Sequence, residues 1–344
     1  MSNIRRTDRI RSFAGPLRNI AKRGETASPP IGFDLREKRR EIKYKGLRWI
    51  DIHRPTLEDI TYLEQEFGFH PLALDDVMSK IQRPKLDDYT TYIFLVLHFP
   101  IYDPSERVAV PSEVDFFMGK DYVVSVHDGQ LKPLLSMWAR AEEDEESREH
   151  YMSQGAEMLL YHIIDRLTNY LFPMMTRIDQ KLDLLDERIF RGDPRRAVRD
   201  LADYRHDIIS IRRIIRPDML VISQLENGRA AVLAESMQPY WGDVLDHFQK
   251  VWDMLGEFRE LVETFDDTFN TLYSYRTNET LRILTIISVL LLPLTLISGI
   301  WGMNIPLPFQ PEFGDNPYSF LAIIVLMLIT VLALILAFRR KGLW

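Results

Sequence analysis

The chain reads as an α+β domain followed by an all-α stalk and a two-helix transmembrane hairpin. Three observations carry this reading. Two strongly apolar runs, Ile283 to Ile300 and Phe320 to Phe338, lie near the C-terminal end, and each is long enough to cross a bilayer. Strand-like and turn-like patterns are confined to the stretch before about residue 130. From Leu131 onward the pattern is helical, with no Gly or Pro between Gly256 and Pro293.

Composition bounds the rest. A length of 344 residues suits two or three domains. The mean hydropathy of −0.16 looks soluble only because the apolar residues are concentrated at one end. There is no cysteine, which removes disulfides, thiolate metal sites and a cysteine nucleophile. The net charge is −7, yet the first fifty residues hold 14 Lys/Arg against 5 Asp/Glu, which leaves about −16 on the remainder. Such an acidic body suits cations and does not suit nucleic acid. The basic start, with Arg5, Arg6, Arg9, Arg11, Arg18, Lys22 and Arg23, lacks the apolar core of a secretory signal.

Taken in order, residues 1–45 form a basic, weakly ordered tail broken by Gly15-Pro16 and Pro29-Pro30. Residues 46–130 form the α/β domain. Within it Leu47 to Ile52 is a strand, and Thr56 opens a helix with Asp59 at the capping-box position and Gly68 at its end. His70 stands at a helix start before Pro71, where capping is its expected role. Thr91 to Phe99 is a strand, and Glu113 to Met118 pairs with Tyr122 to His127 as a hairpin. Residues 131–239 are helical: one long helix is expected from Ser147 to Ile189 and a second from there to Glu226, with the acidic run Glu142 to Glu146 as a solvated helix start. The last helix runs from Tyr240 to Trp301, roughly 90 Å at 1.5 Å per residue. Its stalk part is 240–282 and its first membrane span 283–301. Residues 302–319 form an outer loop stiffened by four prolines, 320–338 the second span, and 339–344 a basic tail. Arg276, Arg282, Arg339, Arg340 and Lys341 flank the spans while the loop has no Lys or Arg, so both termini are expected in the cytoplasm and the loop, with Glu312 and Asp315, outside.

One row on the long helix contains most of its polar and small side chains: Asn278, Leu281, Thr285, Ser288, Leu292, Thr295 and Gly299. Such a row suits a bundle-facing or path-facing stripe. It equally suits hydroxyls that bond back to their own helix. Two spans per chain enclose no water-filled path alone, so a transport reading requires an oligomer. Asp267, upstream on the same rod, would then form a ring of carboxylates of the kind that favours cations. Asn304, at the end of the first span, offers neutral carbonyl oxygen, which suits an ion that gives up its waters reluctantly. Enzyme readings fare poorly. Gly119-Lys120 lacks the rest of a phosphate-binding loop, and the eight histidines show no His-Glu-x-x-His pattern. An ATP motor is also unnecessary, because a divalent ion entering through 100 mV gains about 4.6 kcal/mol.

The run from Thr277-Asn278-Glu279 through Pro293-Leu-Thr-Leu-Ile-Ser-Gly-Ile-Trp-Gly-Met-Asn304 resembles the CorA magnesium and cobalt channel family, marked by Gly302, Met303 and Asn304 at the end of the first of two spans. The resemblance extends from about Lys45 to Trp344 and includes His70-Pro-Leu-Ala-Leu-Asp-Asp76, Gln82-Arg-Pro-Lys85 and Asp243-Val-Leu-Asp-His247. It implies a funnel-shaped homopentamer in the inner membrane that passes Mg2+, with Co2+ and Ni2+ as further ions, and binds Mg2+ as regulator. By position, Asn304 would be the selectivity ring, Thr295 a second polar station, and Leu281, Leu284 and Leu292 the hydrophobic constriction. Asn278 and Asp267 would be the inner rings, and Glu312 and Asp315 the outer attraction for cations. The matching regulatory acids are Asp76 on one subunit and Asp243 on the next, with Asp75, Asp165 and Asp246 as second-site candidates. Trp301 stands where the family often has Tyr. Two alternatives accompany this reading: a zinc transporter of the ZntB type, coupled to protons, and a membrane-anchored sensor or scaffold without flux.

Overall fold

The computed structural model describes residues 38–79, 82–105, 108–191, 194–303 and 317–340. Its sheet has six strands: β1 (Arg39–Tyr44), β2 (Leu47–His53), β3 (Lys85–Asp88), β4 (Ile93–Asp103), β5 (Val108–Met118) and β6 (Tyr122–His127), in spatial order β1-β2-β6-β5-β4-β3. Only β2 and β6 run parallel, because everything between them in sequence, including the β4–β5 hairpin, returns to the sheet before β6.

Strand β1 lies in the stretch expected to be a weakly ordered tail. Its composition is charged, but its burial alternates: Arg40 and Ile42 are buried while Arg39, Glu41 and Lys43 are exposed. The inward arginine is what makes a strand of this sequence. Arg40 Nη2 donates to Asp51 Oδ2 at 2.8 Å, and its guanidinium lies 4.9 Å from the Trp138 ring centre. Asp51 is fully buried and also accepts from Ser125 Oγ at 2.6 Å and from His127 Nε2 at 3.1 Å. Because His127 Nδ1 accepts from the Gly129 amide, Nε2 carries the proton. Burial by itself would raise the Asp51 pKa; His127, Ser125 and Arg40 outweigh it and hold the carboxyl at about 2.

Helices α1 (Leu57–Phe67) and α2 (Pro71–Met78) cover one face of the sheet. As the sequence predicts, Thr56 caps α1: its amide and hydroxyl both donate to Asp59 Oδ2, at 2.9 and 2.7 Å. Gly68 ends α1 at φ +64°. His70 caps α2 by accepting from the Leu72 amide. Beneath them Phe69 stacks on Phe117 at 4.1 Å, in a core with Ile50, Ile52, Phe94, Val96 and Val124.

The other face is covered by helices: α3 (Lys132–Glu143), α4 (Glu145–Met152), α5 (Ala156–Asn169), α6 (Leu171–Arg191) and α7 (Pro194–Glu226) follow in order. The single helix expected from Ser147 to Ile189 is therefore three. Gly155, at φ +98°, makes the first break. The second, at Tyr170, is slight, since Tyr170 keeps right-handed angles; Pro173 three residues on has no amide to give the Asn169 carbonyl. Helix α7 seals two places where strands outrun their neighbours. The His98 amide of β4 lies beyond the end of β3 and donates to Asp218 Oδ1 at 3.1 Å, while the Ala109 amide of β5 lies beyond β6 and donates to Asp207 Oδ1 at 3.0 Å. Asp207 and Asp218 are eleven residues apart, about three turns, and so share a face.

Strands and helices up to Asp266 form one compact unit. Residue 130 is thus where strands give way to helices, not a seam between two bodies. Helix α8 (Gln238–Trp301) is continuous over 64 residues and contains Pro293; α9 (Pro317–Arg340) follows. Asp267–Trp344 form the second compact unit.

Candidate ion path and metal centre

Both α9 and the last part of α8 are long and apolar enough to span a membrane, with mean hydropathies of 3.3 and 2.5 over 18-residue windows. At about 100° per residue, Leu281, Thr285, Ser288, Leu292, Thr295 and Gly299 fall within a sector about 80° wide on α8 that takes in Asp267 at its edge, and Asn278 extends it by about 20°. Leu284 borders it on the other side. All of these residues are exposed in the single chain.

The half-buried residues of the same span are Ile286, Leu290, Pro293, Leu294 and Ile297, and they form a stripe centred roughly 160° from the polar row. On α9, Ile323, Met327, Val331, Leu334 and Ile335 are likewise half-buried on one side. The side of α8 that is shielded within its own unit is therefore the side away from the row. Hydrophobicity alone does not distinguish these two faces of a membrane helix.

The hydroxyls of the row do bond back to their own helix. Thr285 donates to the Leu281 carbonyl at 2.8 Å, Ser288 to Leu284 at 2.8 Å and Thr295 to Leu291 at 2.9 Å. Gly299 is open: a Cβ there would meet nothing within 4 Å. At the end of α8, Gly302 donates to the Ser298 carbonyl at 2.9 Å, and a Cβ at 302 would lie 3.0 Å from that same oxygen. Glycine is thus the residue that fits there. Met303 is exposed, whereas Asn304, Glu312 and Asp315 lie outside the described residues.

In the first unit the structure assembles a second constellation. Asp165 on α5 with Asp243 and His247 on α8 bring one ligand atom each to within 4.8 Å of one another. His247 Nδ1 lies 3.5 Å from Asp165 Oδ1, and Nε2 lies 3.9 Å from Asp243 Oδ1. Asp165 also accepts from Asn169 Nδ2 at 2.9 Å. The nearby Tyr161 hydroxyl is pushed up to about 12, first by burial and then by the charges of Asp165 and Asp243. Two carboxylates and an imidazole could hold a divalent cation, and the nitrogen suits cobalt, nickel or zinc better than magnesium.

His247 is the residue sequence reasoning missed here. The signal was present as an Asp and a His at i and i+4 on one helix face, but Asp246, the neighbour named instead, is exposed and outside the cluster. Asp75 is exposed on α2. Asp76 belongs to a different group within the chain: its Oδ2 pairs with Lys85 Nζ at 2.6 Å.

A mixed sheet covered by helices, one helix of 64 residues and a second apolar helix define an α/β unit with two candidate membrane spans among the described residues. The chain belongs to the family described as CorA-like Mg2+ transporter protein, whose profile matches residues 44–340. These are membrane transporters of magnesium and cobalt rather than enzymes. YfjQ of Bacillus subtilis is 29% identical over 294 residues, 86% of this chain and 89% of its own. The cobalt/magnesium transport protein CorA of Thermotoga maritima is 27% identical over 296 residues, 85% of this chain and 82% of its own. The fold matches the solved CorA magnesium transporter of Methanocaldococcus jannaschii with a TM-score of 0.75 at 18% identity, covering 89% of this chain and 94% of that one.

Proposed function

We propose that this chain is one subunit of a homopentameric divalent-cation channel that admits Mg2+ through the inner membrane, down the membrane potential, and that Mg2+ bound between cytoplasmic units closes it. The observation that carries the proposal is the polar row of α8 lying opposite the face shielded within the chain. In a ring of copies that row is free to line a shared axis, with Asp267 and Asn278 as inner rings, Leu281, Leu284 and Leu292 as the constriction and Thr295 as a polar station. Family membership supports Asn304 as the selectivity ring, with Gly302 and Met303 supporting its turn, and Glu312 and Asp315 as the outer attraction. Weak, hydrated binding suits conduction, because an ion held by full charges would leave slowly.

For regulation, Asp76 of one subunit and Asp243 of the next are the proposed ligands, with Asp165 and His247 beside Asp243. Carboxylates gathered at an interface repel one another when the ion leaves, which loosens the ring. The direct test is Mg2+ uptake by liposomes containing the Asn304→Ala variant. A fall of at least about tenfold is expected if the amide ring stabilises the entering ion by the usual 1.4 kcal/mol or more; uptake equal to the parent would overturn the assignment.

A further inference from the structure

Lys85 opens β3 and lines an open groove with Leu72, Asp76, Asp87, Asp88 and Tyr89. Its Nζ lies 2.6 Å from Asp76 Oδ2 and 2.6 Å from Asp87 Oδ2. It also sits 5.3 Å from the centre of the Phe94 ring. One ammonium thus bridges two carboxylates, one of which is the proposed regulatory ligand.

The negative charge around this lysine exceeds what it offsets. The strand register sets Lys85 beside Val96, Val96 beside Asp115, and His98 beside Glu113, so these residues share one face of the sheet. Glu113 Oε2 accepts from the Gln82 amide at 2.7 Å and faces His98 Nε2 at 3.2 Å. Asp115 is 4% exposed, and among the described residues its Oδ1 has no hydrogen-bond partner. Burial first, then the charges of Glu113 and Asp76, push its carboxyl well above the usual carboxylate range, with Lys85 pulling the other way. Asp76 and Asp87 thus share a single ammonium, and the buried carboxyl beside them is held back from ionising by burial and by nearby negative charge, which marks a place that more positive charge would satisfy better.

We infer that the Lys85 ammonium is a tethered counter-ion on Asp76, and that a divalent cation fills this site by displacing it, so that Lys85 sets the ion concentration at which Asp76 engages. The inference rests on the reading of Asp76 as a regulatory ligand. Lysine is suited to such a role: it carries one charge on a flexible stem and holds its partner through rotatable donors. A divalent ion brings twice the charge and draws oxygen ligands to about 2.0–2.1 Å in the case of Mg2+. The released ammonium has water close by, because the Lys85 and Asp76 side chains are already 32% and 22% exposed. A monovalent ion offers no gain in charge over the lysine it would replace.

The test follows protease protection of the full-length protein in liposomes as Mg2+ is raised. Lys85→Gln should lower the Mg2+ midpoint about twofold to fivefold, the range open to a partly screened ion pair. Lys85→Arg, which keeps the charge, should leave the midpoint at or above that of the parent. A Gln midpoint at or above the parent's overturns the inference, and so does a fall shared by Gln and Arg, which would point to lost packing on Phe94 instead. Asp76→Asn separates the two levels of the proposal. If it loses the Mg2+ response while Lys85→Gln has no effect, the lysine inference alone fails; if it tracks Mg2+ like the parent, the reading of Asp76 fails and the inference with it. A second measurement uses the parent protein: acylation of Lys85 by an amine-reactive reagent, read by mass spectrometry, should rise as Mg2+ fills the site. Labelling of Lys85 that stays flat across the protection midpoint overturns the displacement.

Discussion

Replacing Gly299 with Leu separates a path-lining helix face from an inert one. A Cβ at 299 meets nothing within 4 Å inside the chain, so the larger side chain has room in the subunit itself. Gly299 lies in the last turn of α8, two residues before its end at Trp301, where the glycine penalty is smaller than the roughly 1 kcal/mol of a helix interior, so the helix itself loses nothing by the change. Every cost must therefore come from outside the chain. If the polar row surrounds an axis, each copy places an isobutyl group in the same narrow passage and builds a hydrophobic constriction near its outer end. Radiotracer or dye-reported Mg2+ influx into liposomes should fall at least about tenfold for Gly299→Leu and less for Gly299→Ala, while yield and oligomer size stay those of the parent. Parent-like influx in the Leu variant would refute the placement of this face on the axis, and with it the role given to Thr295 and Leu292.

The remaining expectations concern the metal centre and stability. His247→Ala should weaken Co2+ binding to the protein by about tenfold or more and Mg2+ binding much less, since it removes the one nitrogen ligand; equal losses by calorimetry would argue against His247 as a ligand. His162 gives a pH signature. Burial, followed by the neighbouring His150, depresses its pKa from 6.5 to about 4. Between those values the unfolded chain takes up a proton that the folded one refuses, so stability is complete above pH 6.5 and declines as pH falls toward 4. The partly exposed site discounts the effect to about 1–2 kcal/mol. Thermal melts at pH 7 and pH 5 should show the drop for the parent and a smaller one for His162→Gln.

Much of the fold is legible where local chemistry dictates structure. Thr56, Asp59 and Gly68 specify both ends of α1, His70 before Pro71 specifies the start of α2, and the uninterrupted run to Pro293 specifies α8. Strands β1 and β3 are hidden because their stabilising partners are remote in sequence. Arg40 is a strand residue by virtue of Asp51 and Trp138, and Lys85-Leu-Asp-Asp88 is a strand by virtue of β4. The break at Gly155 escaped because a glycine in a helical pattern is often tolerated, and only its positive φ makes it a stop. The candidate centre is legible only through the family resemblance, which points to Asp165 and Asp243; which neighbour completes the set depends on a helix face turned toward α5, and that face carries His247 instead of Asp246. The polar row was legible as a stripe, while its position opposite the shielded face needed the folded chain.

The back-bonded hydroxyls of α8 have a consequence for the sign of the ions admitted. Thr285, Ser288 and Thr295 each commit their only proton to a carbonyl of the preceding turn. What each oxygen can still offer is lone pairs. A lining of this kind has acceptors and no donors. The waters around a cation turn both hydrogens outward and can be received by it, whereas each water around an anion spends one hydrogen on the ion and keeps only one to give. In the proposed assembly this stretch of the span would favour hydrated cations over chloride and phosphate without any fixed charge in the bilayer, and leave the acids outside the membrane free to set how many cations arrive.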